Sequence, residues 1–91
     1  MSLAQIEYFV AVAEEGHVGR AATKLRVAQP AVSRQIIKLE DELRARLFLR
    51  TQRGMRLSEA GTVFLRHARE ILGGIEAARG AVQRTTTRVD H

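Results

Sequence analysis

A long, regular row of apolar residues near the C-terminus constrains the fold of this chain more than any other feature. The residues recur at spacings of four, three, four, three and four: Phe64, Ala68, Ile71, Ile75, Ala78 and Val82. This is the heptad spacing of a helix that packs lengthwise against another helix. Such a helix, over residues 59–84, would be about 40 Å long and would outreach a body of roughly 60 residues. Packing within the chain can therefore account for only part of the row, and we predict that these six residues form a dimer interface.

Three shorter helices are predicted ahead of this one. Apolar residues at helical spacing indicate a first helix over residues 3–15, which Gly16 ends. A second helix of roughly two turns ends near Arg26. The third occupies residues 27–43 and carries the only proline, Pro30, in its first turn, where the missing amide proton costs no helical hydrogen bond.

Residues 47–57 predict two short strands joined by a basic turn. Strands this short are not stable alone, so they must pack on the helices. The predicted fold class is mainly α, a winged helix-turn-helix of three helices and a two-stranded wing, followed by a long dimerisation helix. We assign residues 1–58 to the winged domain, 59–84 to the linker and dimerisation helix, and 85–91 to a frayed polar tail.

The size and composition argue against an enzyme. A chain of 91 residues has little room to enclose a substrate cavity, and it has no cysteine for a disulfide, a thiolate metal site or a nucleophile. The three histidines, at positions 17, 67 and 91, do not have metal-ligand spacing. No segment is apolar enough to span a membrane or to serve as a signal peptide, so a cytoplasmic location is expected.

The basic charge is concentrated in the middle of the chain. Residues 20–56 contain ten basic and three acidic residues, a net charge of +7, whereas the whole chain carries +5. Thirteen of the fifteen cations are arginine, whose planar guanidinium suits phosphate and guanine edges. A solvated surface and a polyanion partner both remain open at this point.

The third predicted helix places this charge on one face. Its apolar stripe leaves Pro30, Ser33, Arg34 and Ile37 on the opposite side, near the N-terminus, where the helix dipole favours an anion. A solvated face is the alternative.

Several residues match one family in order and spacing. They are Phe9 and Ala13; Ala21, Ala22 and Leu25; Gln29 through Ile36; Leu39, Glu40 and Leu43; Leu47, Phe48 and Arg50; and Leu57, Ser58, Ala60 and Gly61. This composite resembles the N-terminal DNA-binding domain of LysR-type transcriptional regulators over residues 1–84.

The resemblance implies sequence-specific binding of double-stranded DNA by a homodimer at an inverted repeat, with the third helix in the major groove and the wing in the minor groove. The implied base-reading residues are Gln29, Pro30, Ala31, Ser33, Arg34 and, at the wing tip, Arg53. The implied phosphate-binding residues are Arg20, Lys24, Lys38 and Arg50. For Arg20 and Lys24, a solvated surface position is an equal alternative.

Three positions depart from the family pattern. His17 stands where a hydroxyl usually caps the second helix, so this hydroxyl cap and a phosphate contact made by it are expected to be missing. Ala28 replaces a serine before the third helix, which leaves Gln29 or a water to satisfy the first amides. Arg44 replaces a glycine that usually ends the third helix.

Further implications concern the rest of a regulator of this kind. The resemblance implies a small-molecule inducer bound by a C-terminal effector domain, which we expect to lie outside these 91 residues, and no cofactor or metal in this chain. It also allows for a tetramer of the full-length protein and a contact with RNA polymerase. The alternative function is a basic coiled-coil module that binds proteins and has no sequence-specific affinity for DNA.

Overall fold

The computed structural model describes residues 1–89, which form four helices and a small hairpin. In chain order the elements are α1 (Leu3–Glu15), α2 (Val18–Leu25), α3 (Gln29–Leu43), β1 (Phe48–Thr51), β2 (Gly54–Leu57) and α4 (Glu59–Val89). The predicted order of three helices, a wing and a long helix is therefore confirmed. In residues 1–89, no helix combines the length and the apolar character needed to cross a bilayer.

The long helix extends beyond its predicted end. α4 continues to Val89, five residues past the predicted boundary at residue 84. The Thr85 hydroxyl donates to the Ala81 carbonyl at 3.0 Å, so this threonine is accommodated within the helix. The predicted frayed tail is therefore wrong for residues 85–89, and residues 90 and 91 lie outside the described part of the chain.

Local capping determines where α1 and α2 begin and end. Ser2 and Gln5 form a reciprocal capping box, with hydrogen bonds of 3.1 and 3.2 Å. Gly16 ends α1 at a φ of 65°, a conformation that glycine adopts without strain. His17 then caps α2, because its Nδ1 accepts the Arg20 backbone N–H at 3.2 Å. The usual hydroxyl is absent here, as the sequence predicts, and the imidazole acts as the cap in its place.

α3 begins and ends without the residues usual at those places. Ala28 makes no side-chain cap, and the Ala31 amide donates to the Ala28 carbonyl at 3.0 Å while Pro30 has no amide to satisfy. Arg44 ends the helix at a φ of 53°, and its amide donates to the carbonyl groups of Glu40 and Asp41. A non-glycine residue therefore adopts the left-handed conformation here, so α3 ends as it would with a glycine at this position.

α1 is the centre of the core and packs against α2, α3, α4 and β2. The Phe9 ring lies 5.2 Å from the Phe48 ring and 4.9 Å from the Phe64 ring, the latter in an edge-to-face arrangement. The largest fully buried side chains are Phe9, Phe48, Leu39, Leu47, Val12 and Val32. This core holds α3 and the wing in a fixed relation to each other.

The apolar row of α4 is divided between the core and the surface. Ala68 is 0% exposed because the first half of α4 docks on its own domain, so placing Ala68 in the predicted dimer interface was wrong. Phe64 packs on Phe9 but is only half-buried, and its place in the interface stays a prediction. The second half projects from the body and exposes Ile71 and Val82, at 40% and 63%.

Candidate nucleic-acid interface

α3 presents the predicted reading residues on the face that points away from the core. Gln29, Pro30 and Arg34 are exposed, whereas Ala31 and Ser33 are half-buried. The structure therefore brings the five residues to one end of one helix. This end is also where the backbone amides and the helix dipole attract negative charge.

The Arg34 side chain is available for an external partner. Among residues 1–89 it makes no ion pair or hydrogen bond, and the same is true of the side chains of Lys38, Arg50 and Arg53. A cation with no carboxylate beside it retains its full attraction for an anion. These four side chains supply the positive charge of the surface formed by α3 and the wing.

Backbone contacts hold the wing against the corner between α1 and α2. In the hairpin, Thr51 pairs with Gly54, and the Met55 amide donates to the Gly16 carbonyl at 3.0 Å. Gly54 has a φ of 130°, and a Cβ there would overlap the Gly16 carbonyl oxygen. The position of the Arg53 turn is therefore determined by contact with the helices.

A groove of about 280 Å³ separates α3 from the wing and from the start of α2. Gln29 and Ser33 line it on the α3 side, and Arg50 and Arg53 line it on the wing side. No acidic side chain is among its lining residues. Two segments about twenty residues apart in sequence therefore form one basic surface, which is suited to a nucleic-acid backbone.

Arg20 and Lys24, the other two predicted phosphate-binding residues, interact with acidic residues of α1. Arg20 Nη2 donates to the Glu15 carbonyl at 2.9 Å, and Lys24 Nζ lies 3.5 Å from Glu14 and 3.6 Å from Glu15. Arg69 Nη2 of α4 also lies 3.6 Å from Glu14. Exposed pairs of this kind are weak, so they reduce the attraction of Arg20 and Lys24 for phosphate without abolishing it.

Glu40 positions the wing relative to α3, a role that sequence reasoning missed. Its Oε2 accepts the backbone N–H groups of Leu47 and Phe48 at 2.7 and 3.3 Å. Glu40 belongs to a run of three consecutive acids, a pattern typical of a solvated position, but only 13% of its side chain is exposed. No spacing rule marks it, because its partners are free amides of a connecting loop and strand.

An apolar groove of about 810 Å³ lies beside the start of α4. Its apolar lining comes from the end of α3, the following loop and α4: Leu43, Ala45, Leu47, Ala60, Val63 and Phe64. Val63 is 51% exposed. The groove and the exposed second half of α4 are thus two apolar surfaces on one chain.

The sequence of this chain is similar to those of known regulatory proteins. Residues 3–62 match the family described as "Bacterial regulatory helix-turn-helix protein, lysR family". The transcriptional regulator ClcR of Pseudomonas putida is 49% identical over 79 residues, which are 87% of this chain and 27% of ClcR. The chain spans about a quarter of the length of the curated relatives it matches.

Two solved DNA complexes have the same fold. The BenM DNA-binding domain in complex with catB site 1 DNA superimposes with a TM-score of 0.91 at 37% identity, covering 94% of this chain and 97% of that one. The CbnR DNA-binding domain in complex with DNA gives a TM-score of 0.84 at 40% identity, with coverage of 96% and 99%.

Proposed function

The chain belongs to the lysR family of bacterial regulatory helix-turn-helix proteins, and from this premise we propose that it binds double-stranded DNA sequence-specifically to regulate transcription. One observation carries the proposal: Arg34 stands exposed at the N-terminal end of α3, without a partner among residues 1–89, beside a basic wing. DNA recognition, rather than catalysis, is its role. The protein acts in the cytoplasm, where bacterial DNA is found.

α3 reads bases in the major groove. A groove of that width admits a helix, and the first turns of a recognition helix reach the base edges. Arg34 donates to a guanine edge, and Ala31 fits beside a thymine methyl. The Gln29 amide and the Ser33 hydroxyl donate and accept hydrogen bonds at base edges. Pro30 packs against the bases without needing a donor.

The wing and its neighbours hold the DNA backbone. Arg53, at the turn between β1 and β2, enters the adjacent minor groove, where a narrow tract concentrates negative potential. Lys38 and Arg50 bind phosphates and so determine the position of the domain on the duplex. Arg20 and Lys24 contribute less, since their charges are shared with Glu14 and Glu15.

A second copy of the chain completes the DNA-binding unit. The exposed second half of α4, with Ile71, Ile75, Ala78 and Val82, packs against the partner's α4 and into its apolar groove. At about 1.5 Å per residue, the 31 residues of α4 extend about 46 Å, which leaves the second half without support from its own domain. Two-fold symmetry then requires an inverted repeat in the DNA. In a full-length regulator, tetramer formation and contact with RNA polymerase would build on this dimer.

Fluorescence anisotropy with an operator duplex, selected from random sequences, tests the DNA proposal. We expect Arg34→Ala to lose about 1 to 3 kcal/mol of binding free energy and to relax specificity at one base step. Arg66→Ala, which removes an exposed arginine from α4, serves as the matched control and should bind as the wild type does. If the wild type binds neither operator nor scrambled duplex at low salt, the proposal is wrong and the protein-binding coiled-coil module takes its place.

Sedimentation tests the dimer. Ile75→Asp puts a charge into the exposed part of the apolar row and should yield monomers. Thr62→Asp adds the same charge to an exposed position of α4 on the opposite side and should leave a dimer. A dimer that persists in Ile75→Asp would place the interface elsewhere.

A further inference from the structure

We propose that His17 binds a phosphodiester of the DNA backbone through its Nε2–H, as an uncharged donor oriented by the cap of α2. The inference rests on the proposed DNA binding and assigns a contact within it. His17 is exposed at the corner between α1 and α2 and lines the basic groove between α3 and the wing. A DNA backbone that follows this groove would lie beside His17.

The cap determines which ring nitrogen carries the proton. His17 Nδ1 lies 3.2 Å from the Arg20 backbone nitrogen, and a backbone N–H can only donate. Nδ1 is therefore the acceptor, so the proton of the neutral ring must be on Nε2. Among residues 1–89, Nε2 has no hydrogen-bond partner. A donor of fixed tautomer is thus available to an external acceptor.

The missing side chain of Gly19 makes room for the ring. A Cβ on Gly19 would lie 2.9 Å from His17 Cε1, 3.2 Å from Nδ1 and 3.3 Å from Gln29 Oε1. The imidazole and the Gln29 amide therefore share the space above Gly19. This arrangement places the histidine near Gln29, the first residue of α3.

The surroundings select an anion as the ligand. Arg50 and Arg53 line the same groove, and no carboxylate does. Glu15, the acid nearest in sequence, interacts with Arg20 and Lys24. An uncharged N–H in the same groove as these arginines adds a directional hydrogen bond to a phosphate that their charges attract. One side chain thereby caps α2 through Nδ1 and contacts the phosphate through Nε2.

The test uses His17→Ser, because serine keeps a cap acceptor for the Arg20 amide but is too short to replace Nε2. We expect roughly three- to ten-fold weaker binding to operator and scrambled duplexes alike. The slope of log affinity against log salt should stay unchanged, because a neutral donor releases no counterion. Arg50→Ala, the matched control, should lower that slope by about 0.9.

A second measurement identifies the phosphate. Methylphosphonate linkages, placed one at a time along the operator, remove single phosphate charges. At one position the substitution should weaken binding by the wild type. The same substitution should leave the affinity of His17→Ser equal to its affinity for the unmodified operator. Wild-type affinity in His17→Ser, or equal losses by both proteins at every position, would overturn the assignment while leaving DNA binding itself intact.

A third measurement covers the case in which His17→Ser unfolds. Nitrogen-15 NMR of the wild-type imidazole reports the tautomer directly. We expect Nε2 to be protonated in the free protein and its resonance to shift when operator DNA is added. A proton on Nδ1, or an unchanged Nε2 resonance in the complex, would refute the contact.

Discussion

Removing the Glu40 carboxylate should destabilise the domain far more than removing its acidic neighbours. Glu40 Oε2 accepts two backbone N–H groups, from Leu47 at 2.7 Å and from Phe48 at 3.3 Å. Leu47 and Phe48 are 1% and 2% exposed, so water has little access to amides left without an acceptor. In Glu40→Ala both amides lose their partner.

The magnitude follows from these two hydrogen bonds. A hydrogen bond to a charged group contributes about 1.5 to 3 kcal/mol, and the longer of the two lies at the weak end of that range. The ion pair between Glu40 and Arg46 adds little, because the charged groups are 3.9 Å apart and the Arg46 side chain is exposed. We expect Glu40→Ala to lose about 3 kcal/mol of the free energy of unfolding. A domain of this size has about 5 to 14 kcal/mol in total, so the variant should be markedly less stable.

Urea denaturation at fixed protein concentration, followed by circular dichroism, measures the loss. Glu40→Gln keeps a neutral acceptor and should fall between the wild type and Glu40→Ala. Asp41→Ala is the matched control, because this neighbouring carboxylate is exposed and makes no hydrogen bond or ion pair within the described residues; it should change stability by less than about 0.5 kcal/mol. If Glu40→Ala and Asp41→Ala were equally stable, the view that Glu40 fixes the wing to α3 would be refuted.

Three further substitutions test the packing. Gly61→Ala should destabilise the domain by about 1 to 3 kcal/mol in urea titrations, because a Cβ would overlap the Leu47 carbonyl; wild-type stability would contradict the close approach. Gly73→Ala should instead raise the thermal midpoint, gaining about 0.5 to 1 kcal/mol of helix propensity, since its Cβ would meet nothing within 4 Å; a lower midpoint would show that another surface covers this position. Phe9→Ala should cost about 3 to 5 kcal/mol, because the ring is fully buried against Phe48 and Phe64, and a loss below 1 kcal/mol in calorimetry would exclude that core.

The sequence predicted the helices well because their limits depend on neighbouring residues. Ser2 with Gln5 starts α1, Gly16 ends it, and Pro30 lies in the first turn of α3. Each of these signals acts within a few residues of the helix end, so a linear reading detects it. The capping role of His17 was not predicted, because histidine is not among the residues usually recognised as helix caps.

The candidate site was predicted in part. The helical repeat alone placed Pro30, Ser33, Arg34 and Ile37 on one face, and the structure exposes that face except for Ser33, which is half-buried. Whether they stand next to Arg50 and Arg53 depended on how the wing docks. That docking rests on the Met55 to Gly16 hydrogen bond, which joins residues far apart in the chain and has no sequence signature.

By itself, the sequence determined the helices, the hairpin, the separation of charge and the existence of an apolar row longer than one domain can cover. Only the tertiary structure decided how that row is shared, with Ala68 buried in its own core and Val82 left 63% exposed. The tertiary structure also shows that Glu40 is not a solvated surface acid, because its carboxylate joins α3 to the wing. The physical reason is the same in both cases: periodicity and capping are local, whereas the partner of an apolar face or of a carboxylate is set by the packing of distant segments.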